Sequence, residues 1–406
     1  MLKKCRLCGG NKYDSVLDMG DNALVNSLIN KEDLDKTEPV FPLEIVRCRK
    51  CSLVQHKKPI DSNKIYKDVD YLYFSSDMPG LSDYFKEYAT EVYTNFLQPN
   101  DFVVEIGSND GVMLRHFADF GHPVLGIDPA TNVVVRAIAD GIPTLPLFFT
   151  ERLAKMIKNE MGEAKVIYGN NCIAHIDDLD DVMRGVTALI ADKGVFIVEC
   201  NYWGGMVKNK NYALVYHDHF SYFSLKNWVD YADKHGLQVF DATVTPAQDG
   251  SLRVFMSKYK QPATKRCLEL AEEETRTELN TKKIAQNYGK DCIEEAKKLL
   301  KTIEEIKAQG KTIAGYGAAA KGFSVLKLAG IDQKHIDYFV DDSPAKQEKY
   351  TPVSHIPVVS RANAGTQLPN YFFITAPNYA ETIMAKEQEF LKNGGKFILC
   401  DSTIVG

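Results

Sequence analysis

Apolar and polar positions along the chain fall into successive regimes. The first roughly 65 residues carry turn formers and few long apolar runs, which is how a small module short of its own core reads. From about residue 80, short apolar runs (FVVEIG at 102–107, VLGID at 124–128, VIYGN at 166–170 and VFIVEC at 195–200) alternate with amphipathic stretches. Such runs signal strands, and their alternation with helical patterns predicts a parallel, doubly wound sheet. Between about 264 and 308 the composition turns to Lys, Glu, Ala and Leu without Pro, with Gly289 as the only interruption, so one or two long connecting helices are expected. TIAGYGAAAKG, HIDYFVDD, YFFITA and KFILCD then restart a second, smaller strand–helix series. The chain is read as α/β, with a small module at 1–65, a main α/β domain at 66–262, a helical connector at 263–309 and a second Rossmann-like domain at 310–406.

Composition narrows what such a chain does. Its 406 residues, 45% of them hydrophobic, suffice for two or three cores, since domains usually run to about 100–200 residues. The formal net charge of -5 gives no broad basic field, so no nucleic acid partner is expected and a small ligand is. No apolar run approaches the roughly 18–20 residues that span a bilayer, and the start, MLKKCRLCGG, lacks a secretory apolar stretch; a cytoplasmic location without membrane contact is expected.

The nine cysteines are odd in number and spread over a large chain, which argues against a disulfide framework. Cys5 and Cys8 form one C-x-x-C, and Cys48 and Cys51 another. Four thiolates on two such knuckles match a closed tetrahedral zinc site, structural because no position is left for substrate. Cys172, Cys200, Cys267, Cys292 and Cys400 stand singly in apolar or helical contexts and read as core residues.

The run FVVEIGSNDG ends in a glycine turn before a helix, so Glu105, Gly107, Ser108, Asn109 and Gly111 lie where a ligand crosses the carboxyl edge of a sheet. The next strand ends at Asp128, placed to accept from a ribose diol. Taken alone, a glycine turn and an acid fit a nicotinamide dinucleotide equally well. G-S-N-D-G is nevertheless poorly suited to a pyrophosphate, and the acid preceding it matches E/D-x-G-x-G-x-G of class I methyltransferases, with Asn109 at the middle glycine. In YGNNCIAHIDDLDDV, Asn170, Asn171 and His175 follow a strand and reach the same edge, or else make only a turn and a solvated helix position. NYALVYHDHFSYFSL gathers Tyr216, His217, Asp218 and His219, either a base tuned by its neighbours or a structural polar knot.

Taken in order, the two Cys pairs, ALVNSLI, YLYFSS at Tyr71–Ser76, EIGSNDG, NNCIAHI, the YHDH block, GSLR at Gly250–Arg253 and GYGAAAKG at Gly315–Gly322 resemble the zinc-binding sugar C-methyltransferases. The resemblance covers nearly the whole chain. It implies a zinc module, a central S-adenosylmethionine domain and a C-terminal Rossmann-like domain contributing to sugar-nucleotide binding. The reaction it implies is methylation of carbon 3 of a nucleoside diphosphate 4-keto-6-deoxysugar, in the making of a branched sugar. By the same resemblance Tyr216, Asp218, His219 and His175 are catalytic, with His219 the base and Tyr216 its rival. Glu105, Gly107, Ser108, Asn109, Gly111, Asp128 and Asn170 hold the cofactor, while Tyr73, Tyr222, Ser251, Arg253 and Lys321 contact the substrate. Two places depart from the family: Asp218 stands where Glu is usual, and Gln248-Asp249 precedes GSLR in place of His-Gly. A monomer is expected. An NAD-dependent oxidoreductase of nucleotide sugars, using either glycine turn, and a non-catalytic scaffold docking through the Cys module are the competing readings.

Overall fold

The computed structural model describes residues 2–25, 27–66, 71, 73–247, 250–364 and 368–406. Asn26, Leu72, Gln248 and Asp249, which belong to motifs noted above, lie outside the described residues. The N-terminal stretch folds as β1 (Tyr13–Asn22), β2 (Phe41–Cys48), β3 (Val54–His56) and a short helix α1 (Ser62–Tyr66). Then follow α2 (Leu81–Phe96), β4 (Val103–Ile106), α3 (Val112–Asp119), β5 (Val124–Ile127), α4 (Thr131–Ala139), β6 (Thr144–Leu145), α5 (Glu151–Met161), β7 (Ala164–Asn170), α6 (Leu179–Leu189) and β8 (Ile190–Asn201). After α7 (Trp203–Asn209) come β9 (Ser221–Tyr222), α8 (Leu225–Lys234), β10 (Gln238–Thr245) and β11 (Ser251–Ser257). Helices α9 (Lys265–Arg276) and α10 (Lys282–Ala308) lead into β12 (Ile313–Tyr316), α11 (Ala320–Ala329), β13 (Phe339–Val340) and β14 (Val358–Val359). The chain closes with β15 (Tyr371–Ile374), α12 (Ala380–Lys386), α13 (Gln388–Lys392), β16 (Lys396–Ile398) and β17 (Ile404–Val405).

Among the described residues the strands form three sheets. The central one runs β10-β11-β8-β7-β4-β5-β6, and β4 to β8 are parallel, as the apolar runs predict. The sheet is not parallel throughout: β11 is antiparallel to both β10 and β8. The reason is local, because β10 and β11 are joined by a connection far too short for a crossover. Strand order reverses at β4, with β5 on one side and β7 on the other, so the carboxyl ends of these three strands open a crevice.

The N-terminal sheet, β1-β2-β3-β9, borrows its last strand from the middle of the chain. Its apolar side chains (Leu17, Ile45, Val54) belong to one continuous core with Trp228, Phe196 and Leu299, which is how a module short of core is stabilised. Gly289 explains itself here. A Cβ on it would sit 1.8 Å from the Val16 carbonyl oxygen, so α10 approaches β1 closely only because that position carries no side chain. The third sheet, β14-β13-β12-β15-β16-β17, is parallel except for β17 and reverses order at β12.

Candidate active site

The four paired cysteines converge from the two knuckles. Cys5 and Cys51 sulfurs are 3.5 Å apart, those of Cys8 and Cys48 3.6 Å, and all four lie within 4.8 Å of one another. A zinc ion with Zn–S near 2.3 Å requires sulfurs about 3.8 Å apart, so the donor set fits. Gln55 Nε2 donates to Cys5 Sγ at 3.1 Å, an outer contact of the kind that orients a ligand.

The crevice at β4, β5 and β7 deepens into a cavity of about 530 Å³, within the range of small-ligand sites. Of the residues expected to hold a cofactor, Gly107, Asn109, Asp128 and Asn170 line it. Glu105 and Ser108 are buried at the same edge, with Ser108 turned toward Gly126. Gly111, at φ +76°, caps α3. Asp128 accepts from the backbone N–H groups of Asn109 and Ala130, both at 2.9 Å, and burial still pushes its carboxyl up to about 6. Glu105 is held well above the usual carboxylate range by burial and by the charges of Asp128 and Asp110. Its Oε2 and the Asn170 Oδ1 are buried without partners among the described residues. Such a concentration of buried acceptors calls for a ligand bearing donors and positive charge. S-adenosylmethionine, with ammonium, sulfonium and ribose hydroxyls, fits it.

Asn109, which replaces a glycine of the motif, has work of its own at φ +50°. Its side chain accepts from Ser75 N and donates to Tyr73 O. Asp110 accepts from Ser76 N and Oγ, and Asn132 donates to Tyr71 O. Tyr71 and residues 73–76 are thereby fastened against the cavity, where Tyr71, Tyr73 and Ser75 become part of its wall.

Beside this cavity three of the four side chains expected to be catalytic, Tyr216, His175 and His219, lie together. The ring of His219 lies 4.1 Å from that of Tyr216 and 5.0 Å from that of His175, centre to centre, and His175 lines the cavity. His219 Nδ1 is 2.7 Å from the Leu214 carbonyl oxygen. A carbonyl only accepts, so Nδ1 carries the hydrogen and Nε2 the lone pair; Asn201 Nδ2 lies 3.0 Å from Nδ1 and 3.2 Å from Nε2. Burial, and next the nearby His175, hold His219 well below the usual imidazole range, so the ring is neutral near pH 7. Tyr216 is pushed well above the phenol range by burial and then by the charge of Asp218. Asp218 is raised by burial to about 7.

Other expected residues are placed differently. Arg253, expected to contact the substrate, has carboxylate partners of its own: its guanidinium pairs with Glu199 at 2.9 Å and Glu91 at 3.0 Å and lies over the Tyr88 ring at 3.3 Å. Tyr222 is buried between β3 and the 214–219 loop, its hydroxyl 3.4 Å from both His56 Nε2 and Leu214 O. His217 turns away from the cluster to Phe41 O. Ser251 Oγ is buried without a partner among the described residues on the β11 position that pairs with Asn201. Lys321, in the first turn of α11, donates to Asn378 at 2.9 Å, and its charge reaches His219. Sequence reasoning missed Tyr66 as a site residue; it meets His175, and its signal was only the density of tyrosines between the Cys module and β4.

Comparison with known proteins shows the family. The family described as C-methyltransferase C-terminal domain matches residues 246–400, a methyltransferase domain matches 81–242, and a zinc binding domain matches 5–66. C-methyltransferase NovU of Streptomyces niveus is 33% identical over 404 residues, covering 98% of this chain and 95% of that protein. Among solved structures, magnesium protoporphyrin IX methyltransferase (ChlM) of Synechocystis PCC 6803 with bound SAH is 13% identical, covers 49% of this chain and 93% of its own, and has a TM-score of 0.37. The plantazolicin methyltransferase BpumL in complex with SAH is 12% identical, with 49% and 94% coverage and a TM-score of 0.38. This is an S-adenosylmethionine-dependent methyltransferase with a four-cysteine zinc module. The chain belongs to the C-methyltransferase family that includes NovU. No helix among the described residues is long and apolar enough to cross a membrane.

Proposed function

We propose that the chain methylates carbon 3 of a nucleoside diphosphate 4-keto-6-deoxysugar, serving the synthesis of a branched deoxysugar. In this reading residues 1–65 are the zinc module, 66–262 the catalytic domain, 263–309 a connector, and 310–406 a domain that closes over the sugar nucleotide. The observation that carries it is the His219–Tyr216–His175 cluster beside a cavity built for a sulfonium cofactor.

A ketone at carbon 4 acidifies the hydrogen on carbon 3, because the electron pair left behind spreads onto the carbonyl oxygen. His219 removes that proton through Nε2. The choice of His219 over Tyr216 is supported by two features: its Nδ1 hydrogen is spent on Leu214 O, and Tyr216 faces the charge of Asp218, which disfavours a phenolate. Tyr216 then serves as a donor. His175, kept neutral because burial lowers it to about 4, donates to the enolate oxygen. When bound, S-adenosylmethionine supplies an electrophilic methyl whose bonding pair leaves with sulfur, so no metal is needed for activation and the zinc serves structure. Tyr73, Ser251 and Lys321 are proposed to contact the sugar nucleotide.

His219→Ala is expected to lower turnover by about 10² or more, the usual worth of a positioned base, with S-adenosylhomocysteine binding preserved by calorimetry. Turnover near that of the unaltered enzyme would reject the assignment.

A further inference from the structure

Tyr66 ends helix α1, the last element of the stretch that carries the zinc ligands. Its hydroxyl lies 2.8 Å from His175 Nδ1, the two rings are nearly parallel at 13° and 6.4 Å between centres, and both line the cavity. Tyr71 packs against it at 5.3 Å. Neither the Tyr66 hydroxyl nor the His175 ring has another hydrogen-bond partner among the described residues.

We propose that Tyr66 is a positioning residue that fixes the tautomer of His175, donating to Nδ1 so that the hydrogen stands on Nε2 and faces the reacting sugar. The inference rests on the reading of His175 as the donor to the enolate oxygen and supplies what that role needs. A neutral imidazole carries one hydrogen on one of two nitrogens, and it stabilises an oxyanion only if that hydrogen points at it. The other arrangement would have Nδ1–H donate to Tyr66, which leaves the phenol hydrogen without a protein acceptor among the described residues and Nε2 as a lone pair turned toward a developing negative charge. A phenol is the suitable partner because it keeps its hydrogen here: burial and then the charge of Asp218 hold Tyr66 well above the usual range. Helix α1, which links the zinc module to the catalytic domain, therefore reaches into the chemistry through Tyr66.

The test uses the full-length protein labelled with ¹⁵N-histidine and saturated with S-adenosylhomocysteine. Two-bond ¹H–¹⁵N spectra read the tautomer, and His175→Gln identifies the signal. Wild type is expected to show Nε2 protonated and Nδ1 bare. Tyr66→Phe is expected to mix the tautomers and to lower kcat about 10-fold or more, the scale seen when an orienting partner is lost, while cofactor affinity and KM stay within about 2-fold. Nδ1–H in wild type overturns the inference without recourse to any variant, as does a Tyr66→Phe protein with unchanged tautomer and kcat. Full turnover in His175→Gln would sink the proposed role of His175 instead, and the tautomer measurement separates that failure from this one.

Discussion

At the head of the central sheet, the Gly107 N–H donates to Ile127 O at 2.7 Å, the Asn109 N–H to Asp128 Oδ2 at 2.9 Å, and the Ala130 N–H to Asp128 Oδ1 at 2.9 Å. At the head of the C-terminal sheet the Gly317 N–H donates to Val340 O at 2.7 Å, the Ala318 N–H to Asp341 Oδ2 at 2.8 Å, and the Ser343 N–H to Asp341 Oδ1 at 2.9 Å. The two glycine turns are thus the same construction: the first strand's exit is tied to an aspartate closing the second strand. Their surroundings differ. Around Asp341 the protein supplies its own cation, Lys346, which bonds Ala318 O at 3.0 Å and reaches Asp341 at 3.4 Å, and Thr375 bonds the Tyr316 and Gly317 carbonyls. Around Asp128 the neighbours are Glu105 and Asp110, the Glu105 Oε2, Asp110 Oδ1 and Asn170 Oδ1 atoms lack partners among the described residues, and a cavity stands open. A glycine turn with an acid is a way of joining two strands; it becomes a cofactor site when charge and space are left for a ligand.

The largest test of that contrast is a methyl group at each turn. A Cβ on Gly107, at φ +68°, would lie 2.4 Å from Cys172 Cβ, against 3.0 Å from Ala376 Cβ for Gly317 at φ +88°. Each alanine suffers about 1–2 kcal/mol from the left-handed backbone, and the first adds an overlap worth about 1–3 kcal/mol. Gly107→Ala should abolish measurable S-adenosylhomocysteine binding, whereas Gly317→Ala should bind as wild type and show only a lowered melting temperature. Equal binding by both would break the contrast. Next in size, Asp128→Asn should weaken cofactor binding about 10- to 100-fold, the worth of hydrogen bonds to a charged group; Asp341→Asn should leave it unchanged in the same calorimetric titration.

The third effect is in pH. Asp128 is raised from 3.8 to about 6, so between those values the folded protein without ligand holds a proton that the unfolded chain has released. Stability from this group therefore falls as pH rises from about 4 to about 6, by up to about 3 kcal/mol. Cofactor, which calls for the ionised carboxylate, should bind more tightly over that interval and level off above it. Asp218 and Glu105, both raised by burial, add to the stability slope over the same interval, so Asp128→Asn should shrink that slope in thermal melts and flatten the binding slope in titrations at several pH values; an unchanged binding slope in that variant would assign it to another group.

Part of this was legible in the chain. The strands β4, β5, β7 and β8 announced themselves as apolar runs, β4 closed by Gly107 and β5 by Asp128, and the cysteine pairs stated their geometry by spacing alone. The antiparallel β11 did not, because LRVFMS has the same pattern in either direction and only the short link from β10 decides. The commitments of Arg253 were hidden for a related reason: its partners Glu91 and Glu199 are 162 and 54 positions away, so nothing beside G-S-L-R in the chain announces them. Asn109 looked like a lost glycine until the 73–76 segment was seen to hang from it. Tyr66 carried no spacing signal at all.

The account stands or falls on where the methyl group goes. Enzyme incubated with S-[¹³C-methyl]adenosylmethionine and a nucleoside diphosphate 4-keto-6-deoxysugar should yield a product whose labelled methyl couples in NMR to a ring carbon bearing no hydrogen, carbon 3. Label attached to oxygen or nitrogen, or to any other carbon, would contradict it.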